Sequence, residues 1–430
     1  MVVSILRALV GILGLLAIAF LCSRNRKAIN WTQVCKGLSI QLVLAAAILY
    51  IPFIGSVIEA MGAGFVKLLE FTRAGSEFLL GDLLNLEKIG YIFLFQVMPV
   101  TIFFASLTSI LYYYGIVQKV VAVIAYGLRK ILNISGAEGL VAAGNIFLGQ
   151  TESPLLTKKY LPTMTKSEMF LVMTSGMATI AGGVMAAYIM MLGGDDPQAT
   201  VLFAKHLITA SVMAAPGAIV MAKIFFPETE DVDTTAKISN DSVGSNFFDA
   251  LSNGTSEGVK LVVNMSAMLL VILALMATIN YMLGGLLGEW IGLNGFIASS
   301  TNGQFTSLSV EYLLSLVFTP IAWLVGVTKD DMGLVASLLG KKLAINEFVA
   351  YADLNTLKEA GRFVSERSII LATYLLCGFA NVSSVGILIG GIGSLAPNKK
   401  LFITQFGLWA VAAATLASCM SATIVGMFIH

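Results

Sequence analysis

The sequence predicts an all-α polytopic membrane protein of about eight transmembrane helices. Two re-entrant helical hairpins, interfacial helices and an inverted internal repeat complete the expected fold. Three observations predict it. Of the 430 residues 57% are hydrophobic and only 12% charged, about half the charged share of a soluble domain. Apolar runs approach the roughly 20 residues that cross a bilayer. Two short polar strings, Gly149-Gln150-Thr151-Glu152-Ser153-Pro154 and Asn346-Glu347-Phe348, each place a carboxylate between apolar flanks.

The candidate spans are Ile5–Leu21, Leu38–Ile54, Tyr91–Tyr114, Met169–Leu192, Val201–Met221, Val259–Leu283, Ile369–Ile392 and Leu401–Ile429. Arg24, Arg26, Lys27 and Lys36 follow the first, so that loop reads as cytoplasmic. Alternate counting places Lys119, Arg129, Lys130, Lys158, Lys159, Lys166, Lys223, Lys399 and Lys400 on the same side. Glu59, Glu70, Glu77, Asp82, Asp195, Asp196 and Glu289 fall opposite. Both termini are then expected outside the cytoplasm. Basic residues directly after the first span favour a retained helix over a cleaved leader. Net charge is +1, and no nucleic-acid partner is expected.

Along the chain, residues 1–115 read as N-terminal spans plus an amphipathic helix over Gly55–Leu84, lying on the outer surface and carrying Lys67, Glu70, Arg73 and Glu77. Residues 116–225 hold a basic interfacial helix, Val117–Leu132, and the first repeat. In that repeat Ala137–Leu148 enters, Gly149–Pro154 turns and Leu155–Leu161 returns, the proline ending the incoming ladder. Residues 226–257, with Glu228, Glu230, Asp231, Asp233 and Asp241, read as a cytoplasmic linker. Residues 258–325 form a long helix and an outer segment. Residues 326–430 repeat the device: Met332–Leu343, the tip Ala344–Phe348, then Val349–Leu354. Lys341 and Lys342 flank this tip and are expected to snorkel or face a watery vestibule.

Each hairpin is followed by a span that invites a break, 28 residues on from Glu152 to Ile180 and 34 from Glu347 to Asn381. Thr174–Met185 is weakened by Gly176, Gly182 and Gly183. In Cys377–Gly386, Asn381, Ser383 and Ser384 compete for backbone hydrogen bonds. Paired hairpins and broken spans are how transporters build midplane sites, and non-helical backbone at that depth needs protein or water around it. An intramembrane carboxylate costs about 2.5–3.5 kcal/mol on insertion scales, so two in matching places need a functional reason. Glu152 and Glu347 as acceptors, with Gln150 and Asn381 as mixed donors and acceptors, suit a neutral hydrogen-bonding solute. Without an arginine cluster, a phosphate or carboxylate ligand fits poorly. Asn145, the Leu148 backbone, Thr179 and the freed Ile180 carbonyl could meet as a weak alkali-cation site.

Other classes are disfavoured. An intramembrane enzyme lacks a nucleophile with its base, since His206 and His430 are the only histidines and neither has a ligand pattern. The cysteines Cys22, Cys35, Cys377 and Cys419 have no metal spacing and read as small packing residues. Hairpins of this kind argue against an open channel.

GNIFLGQTESPLL (144–156), AINEFVAY (344–351) and LLCGFANVSSVGI (375–387) resemble the signature motifs of the concentrative nucleoside transporters, in order and spacing over nearly the whole chain. The resemblance implies a homotrimer of eight-span subunits in a bacterial inner membrane. Each subunit would have a scaffold and a mobile domain working as an elevator. It implies nucleoside import by symport, with no cofactor beyond sodium as coupling ion. By motif match, Gln150, Thr151 and Glu152 would contact the base. Glu347, Asn381 and Ser384 would hold the ribose, with Phe379 packed beside the ligand. Asn145, Leu148, Thr179 and Ile180 would bind sodium. The retained Asn145 and Thr179 favour sodium, while a proton-coupled carrier could use Glu347 or Glu152 instead.

Overall fold

A computed structural model describes residues 2–85, 88, 92–194, 196–233 and 245–429. Tyr91, Asp195, Asp241 and His430, with the middle of the expected linker, lie outside the described residues. Among those described, every regular element is helical.

Four long helices come first: α1 (Val2–Leu21), α2 (Trp31–Tyr50), α3 (Pro52–Leu80) and α4 (Phe93–Tyr113). Asn30 accepts the Gln33 N–H and so starts α2 at Trp31, ahead of the expected Leu38, while Pro52 opens α3. Helix α3 is one 29-residue element. Its charged groups pair along an exposed face, Lys67 with Glu70 and Arg73 with Glu77 at 3.0 Å, which suits the expected surface position. Its length and composition would also let it cross. The basic α5 (Ile116–Leu132) follows.

The first hairpin begins with α6 (Gly136–Gly144), and a broken span follows as α7 (Lys166–Ala178) and α8 (Gly182–Gly193). Next come α9 (Pro197–Phe225) and α10 (Phe247–Asn280), the latter continuing as a π-helix over Tyr281–Gly288. The short α11 (Leu293–Ser300) and α12 (Val310–Val325) lead to the second hairpin, α13 (Met332–Ala344) and α14 (Glu347–Glu359). A second broken span, α15 (Glu366–Leu376) and α16 (Val382–Leu395), precedes the final α17 (Lys400–Val425).

Seven described stretches are long and apolar enough to cross a bilayer: those of α1 to α4, the joined α7–α8, α9 and α17. The expected span Val259–Leu283 lies in α10 and its π continuation. The expected span Ile369–Ile392 divides into α15 and α16, each too short alone.

Burial separates centre from edge. In α9, 94% of the apolar window is buried, and 83% in both α7–α8 and α17, against 22% in α1 and 28% in α2. Helices α2, α3, α7, α8, α15 and α17 pack around α9, and α10 runs along α4. That second pair touches through Gly254 and Gly258. A Cβ on either would lie 2.8 Å from a backbone Cα of α4, at Ser106 and Ile102 respectively, so small residues let the backbones meet.

One buried charge cluster ties the root of the first hairpin to its surroundings. Lys223 near the end of α9 places Nζ 2.5 Å from Glu138 Oε1 and 3.5 Å from Glu228 Oε2, and donates to Ser167 Oγ at 2.9 Å. Thr165 Oγ1 donates to Glu228 at 2.8 Å, and the Gly136 N–H donates to the Asp233 carbonyl at 3.0 Å. Two expectations need correction nearby and elsewhere. Cys377 and Cys419 are buried packing residues, but Cys35 is exposed and Cys22 half-buried, because their helices lie at the edge. Lys342 does not snorkel: it is fully buried and donates to the Leu375 carbonyl at 2.9 Å. Lys341 ends at Asp353, 2.7 Å away, with Glu311 at 3.6 Å.

Candidate functional site

The first hairpin starts on a capping box. Ser135 Oγ accepts the Glu138 N–H while the Glu138 carboxylate accepts the Ser135 N–H. Helix α6 stops at Gly144, so the turn begins at Asn145 rather than the expected Gly149. The Phe147 and Leu148 N–H groups both donate back to the Gly144 carbonyl. The Gly149 N–H donates to Glu152 Oε2 at 3.0 Å, closing the tip on itself. Ser153 Oγ donates to the Val141 carbonyl at 2.8 Å, folding the return strand of chain onto α6, and Pro154 opens a 3₁₀ turn, Ser153–Thr157. The Glu152 side chain is exposed to solvent.

The second tip is tighter, only Ile345 and Asn346 between helices. Asn346 accepts the Val349 N–H at 2.9 Å, making Glu347 the first residue of α14. A carboxylate there sits at the positive end of the helix dipole.

Both predicted breaks exist, at Thr179–Ala181 and Cys377–Asn381, and they cross in contact. The Phe379 N–H donates to the Thr179 carbonyl at 3.2 Å. Gly378 has φ +126°, and a Cβ there would lie 2.7 Å from the Ala178 carbonyl oxygen. Asn381 restarts the chain as the N-cap of α16, accepting the Ser384 N–H at 2.8 Å. The first tip lies against this crossing, since the Gly182 N–H donates to the Phe147 carbonyl at 3.1 Å.

The predicted residues gather around it in two groups. In the first, Asn145 Nδ2 donates to Ser175 Oγ and Thr179 Oγ1 donates to the Ser175 carbonyl, both at 3.0 Å. Asn145, Leu148, Thr179 and Ile180 are all buried, and Asn145 Oδ1 has no hydrogen-bond partner. A buried carbonyl oxygen left in this way costs about 1–3 kcal/mol, and an oxygen-lined cation would satisfy it. The donor set fits a singly charged ion better than a divalent one, because none of the four supplies a carboxylate.

In the second group, Gln150 Nε2 donates to Ser384 Oγ at 3.3 Å, joining the first tip to the second break. Gln150 Oε1 is buried without a partner. The Glu347 carboxylate accepts from Tyr188 at 3.1 Å on Oε1 and from Asn381 Nδ2 at 2.9 Å on Oε2. Phe379 is half-buried beside them. Thr151 is seated over Gly391 of α16, where a Cβ would meet its methyl at 2.7 Å. Such a surface offers separate donors and acceptors to a neutral polar solute.

Models of the Na+ dependent nucleoside transporter C-terminus and N-terminus match residues 206–426 and 10–83, and a nucleoside recognition model matches 94–195. This chain belongs to the concentrative nucleoside transporter family. A family member from Helicobacter pylori, nucleoside permease NupC, is 37% identical over 100% of this chain and 99% of its own. An uncharacterized transporter of Haemophilus influenzae is 39% identical over 99% and 98%. Human solute carrier family 28 member 3 is 37% identical over 97% of this chain, which spans 59% of that longer protein. Among solved concentrative nucleoside transporters, CNTnw in an inward-facing substrate-bound state superposes with TM-score 0.87 at 36% identity, covering 98% of both chains. A variant of it in an outward-facing state gives 0.86 at 35%, covering 99% of this chain and 97% of that one. The chain is a transporter of this family, not an enzyme.

Three residues at the site escaped sequence reasoning, and a fourth, Lys342, was singled out without its partner. Ser175 binds both Asn145 and Thr179, and only its i−4 spacing from Thr179 hinted at it. Tyr188 reaches Glu347 from two turns beyond the break and carries no local signal. Lys342 stood out as an awkward charge, but its partner, a carbonyl at the end of α15, needed the fold. Gly378 looked like one more small residue until its φ and its neighbour were known.

Proposed function

We propose that this chain imports nucleosides across a bacterial inner membrane by sodium symport. The observation that carries this reading is the crossing of the two helix breaks. It brings a buried, partnerless Asn145 oxygen and the Glu347–Asn381 pair into one structure. Asn145 and Thr179, with the carbonyls of Leu148 and Ile180, would hold sodium. Gln150, Thr151 and Glu152 would face the base, while Glu347, Asn381 and Ser384 would take the ribose hydroxyls beside Phe379. The description of the family model as Na+ dependent supports the ion. One sodium driven by 100 mV and a tenfold gradient supplies about 3.7 kcal/mol, enough for roughly several hundred-fold accumulation.

Residues 1–115 and 258–325 would form the scaffold and the trimer's fixed part. The repeats at 116–225 and 326–430, inverted relative to each other, would form the moving part of an elevator. Positive residues in alternate loops support both termini outside the cytoplasm.

Radiolabelled uptake into membrane vesicles, with a nucleoside panel in sodium and in choline, tests the reading. Saturable uridine uptake that vanishes in choline is the expected result. Uptake that persists in choline and follows a proton gradient would overturn the ion, and absence of saturable nucleoside uptake would overturn the function.

A further inference from the structure

We infer that Tyr188 is a positioning residue for the ribose acid and the rigid link between the cation site and the sugar site. The inference rests on the reading that Glu347 takes sugar hydroxyls. Tyr188 belongs to α8, the helix that restarts directly after the Thr179–Ala181 break. Its side chain is fully buried, and its hydroxyl donates to Glu347 Oε1 at 3.1 Å.

The ring cannot swing away. It stacks on Tyr351 with centroids 4.3 Å apart and planes 27° apart, and meets Phe348 at 5.4 Å. Both neighbours belong to α14, whose first residue is Glu347. Tyr351 is itself fixed, donating to the Thr373 carbonyl of α15 at 2.7 Å. Stacking at these distances holds aromatic pairs in a defined geometry.

The carboxylate therefore receives one donor from each broken span. Tyr188 of α8 serves Oε1, and Asn381 at the start of α16 serves Oε2. Each oxygen keeps a further lone pair for a ligand hydroxyl. The two donors, one on each oxygen, together set the plane of the carboxylate and so aim those lone pairs. A cation that orders Thr179 and Ile180 also fixes the start of α8, and the helix carries that order two turns along to Tyr188. Sodium would then tighten nucleoside binding by setting the Glu347 carboxylate, without touching the nucleoside.

The test compares wild type, Tyr188→Phe and Glu347→Gln with uridine and with 2′,3′-dideoxyuridine, at limiting and saturating sodium. Loss of one hydrogen bond to a charged group predicts that Tyr188→Phe weakens uridine about tenfold. The half-saturation for the dideoxy compound should stay within about twofold of wild type, since it lacks the 2′- and 3′-hydroxyls that would donate to Glu347. Sodium should also tighten uridine less in Tyr188→Phe than in wild type. Equal weakening of both ligands, or no weakening, would overturn the inference. The ratio of the two half-saturation constants cancels differences in folding and expression, so a less stable variant still reports. If Glu347→Gln itself fails to separate the two ligands, the assignment of Glu347 to the sugar fails. If it separates them and Tyr188→Phe does not, only the role of Tyr188 fails.

Discussion

Replacing Gly378 with alanine tests the crossing of the two breaks at its closest point. The residue has φ +126°, where an L side chain is strained by about 1–3 kcal/mol. Its new Cβ would lie 2.7 Å from the Ala178 oxygen, 2.8 Å from the Ala178 carbonyl carbon and 2.9 Å from the Met177 oxygen. All three are backbone atoms at the end of α7, so none can rotate aside. Overpacking of this kind costs about 1–3 kcal/mol more. The easiest relief is to pull the breaks apart, which gives up the 3.2 Å bond from the Phe379 N–H to the Thr179 carbonyl. Restoring the bound geometry against about 2 kcal/mol would raise half-saturation about thirtyfold. Because the crossing joins the two groups of residues, uridine and sodium half-saturation should both rise. Gly386→Ala and Gly390→Ala are the controls, since a Cβ at either meets nothing within 4 Å. The assay is uridine uptake in vesicles as a function of each solute, with surface expression measured in parallel. Wild-type half-saturation for both solutes in a well-expressed Gly378→Ala protein would refute the reasoning.

Three further substitutions separate the parts of the site. Glu347→Gln leaves only one acceptor oxygen for two donors, and Asn381 cannot turn to help because its Oδ1 is held by the Ser383 hydroxyl and the Ser384 N–H; uridine affinity should fall about 10- to 100-fold in equilibrium binding. Thr179→Ala should raise the sodium needed for half-maximal uptake more than it changes uridine affinity at saturating sodium, and unchanged sodium dependence would misplace the ion. Lys342→Met removes the donor from the Leu375 carbonyl and leaves that oxygen buried and unpaired, so the detergent-solubilised protein should lose about 1–3 kcal/mol of stability, read as a lower melting temperature.

The sequence made the breaks and hairpins legible because each is a local event. Glycines, an N-capping asparagine and a proline act within a few residues of where they stand. That is why Thr174–Met185 and Cys377–Gly386 bracket the observed interruptions. The start of the first tip was misplaced because Asn145 to Leu148 is apolar enough to pass for helix. The end of α6 there depends on Ser153 folding back onto Val141. Lys342 shows the same limit from the other side: composition marks a buried charge as costly, and only the tertiary fold supplies the carbonyl that receives it. Tyr188 was invisible, since a tyrosine on an apolar helix looks like packing until its hydroxyl finds a carboxylate 159 positions away.

The buried cluster at the base of the first hairpin has its own consequence for how this protein can work. Glu138 stands at the start of α6, Lys223 at the end of α9, and Ser167 at the start of α7. If Glu138 or Lys223 withdrew, the other would be left in the interior without its nearest opposite charge, at a cost of about 3–5 kcal/mol. A hairpin stapled at its root resists hinging there as a flap. In the proposed elevator, the motion that turns Gln150 and Glu152 from one face to the other would carry the roots of α6, α7 and α9 together, as cargo and crate in one piece.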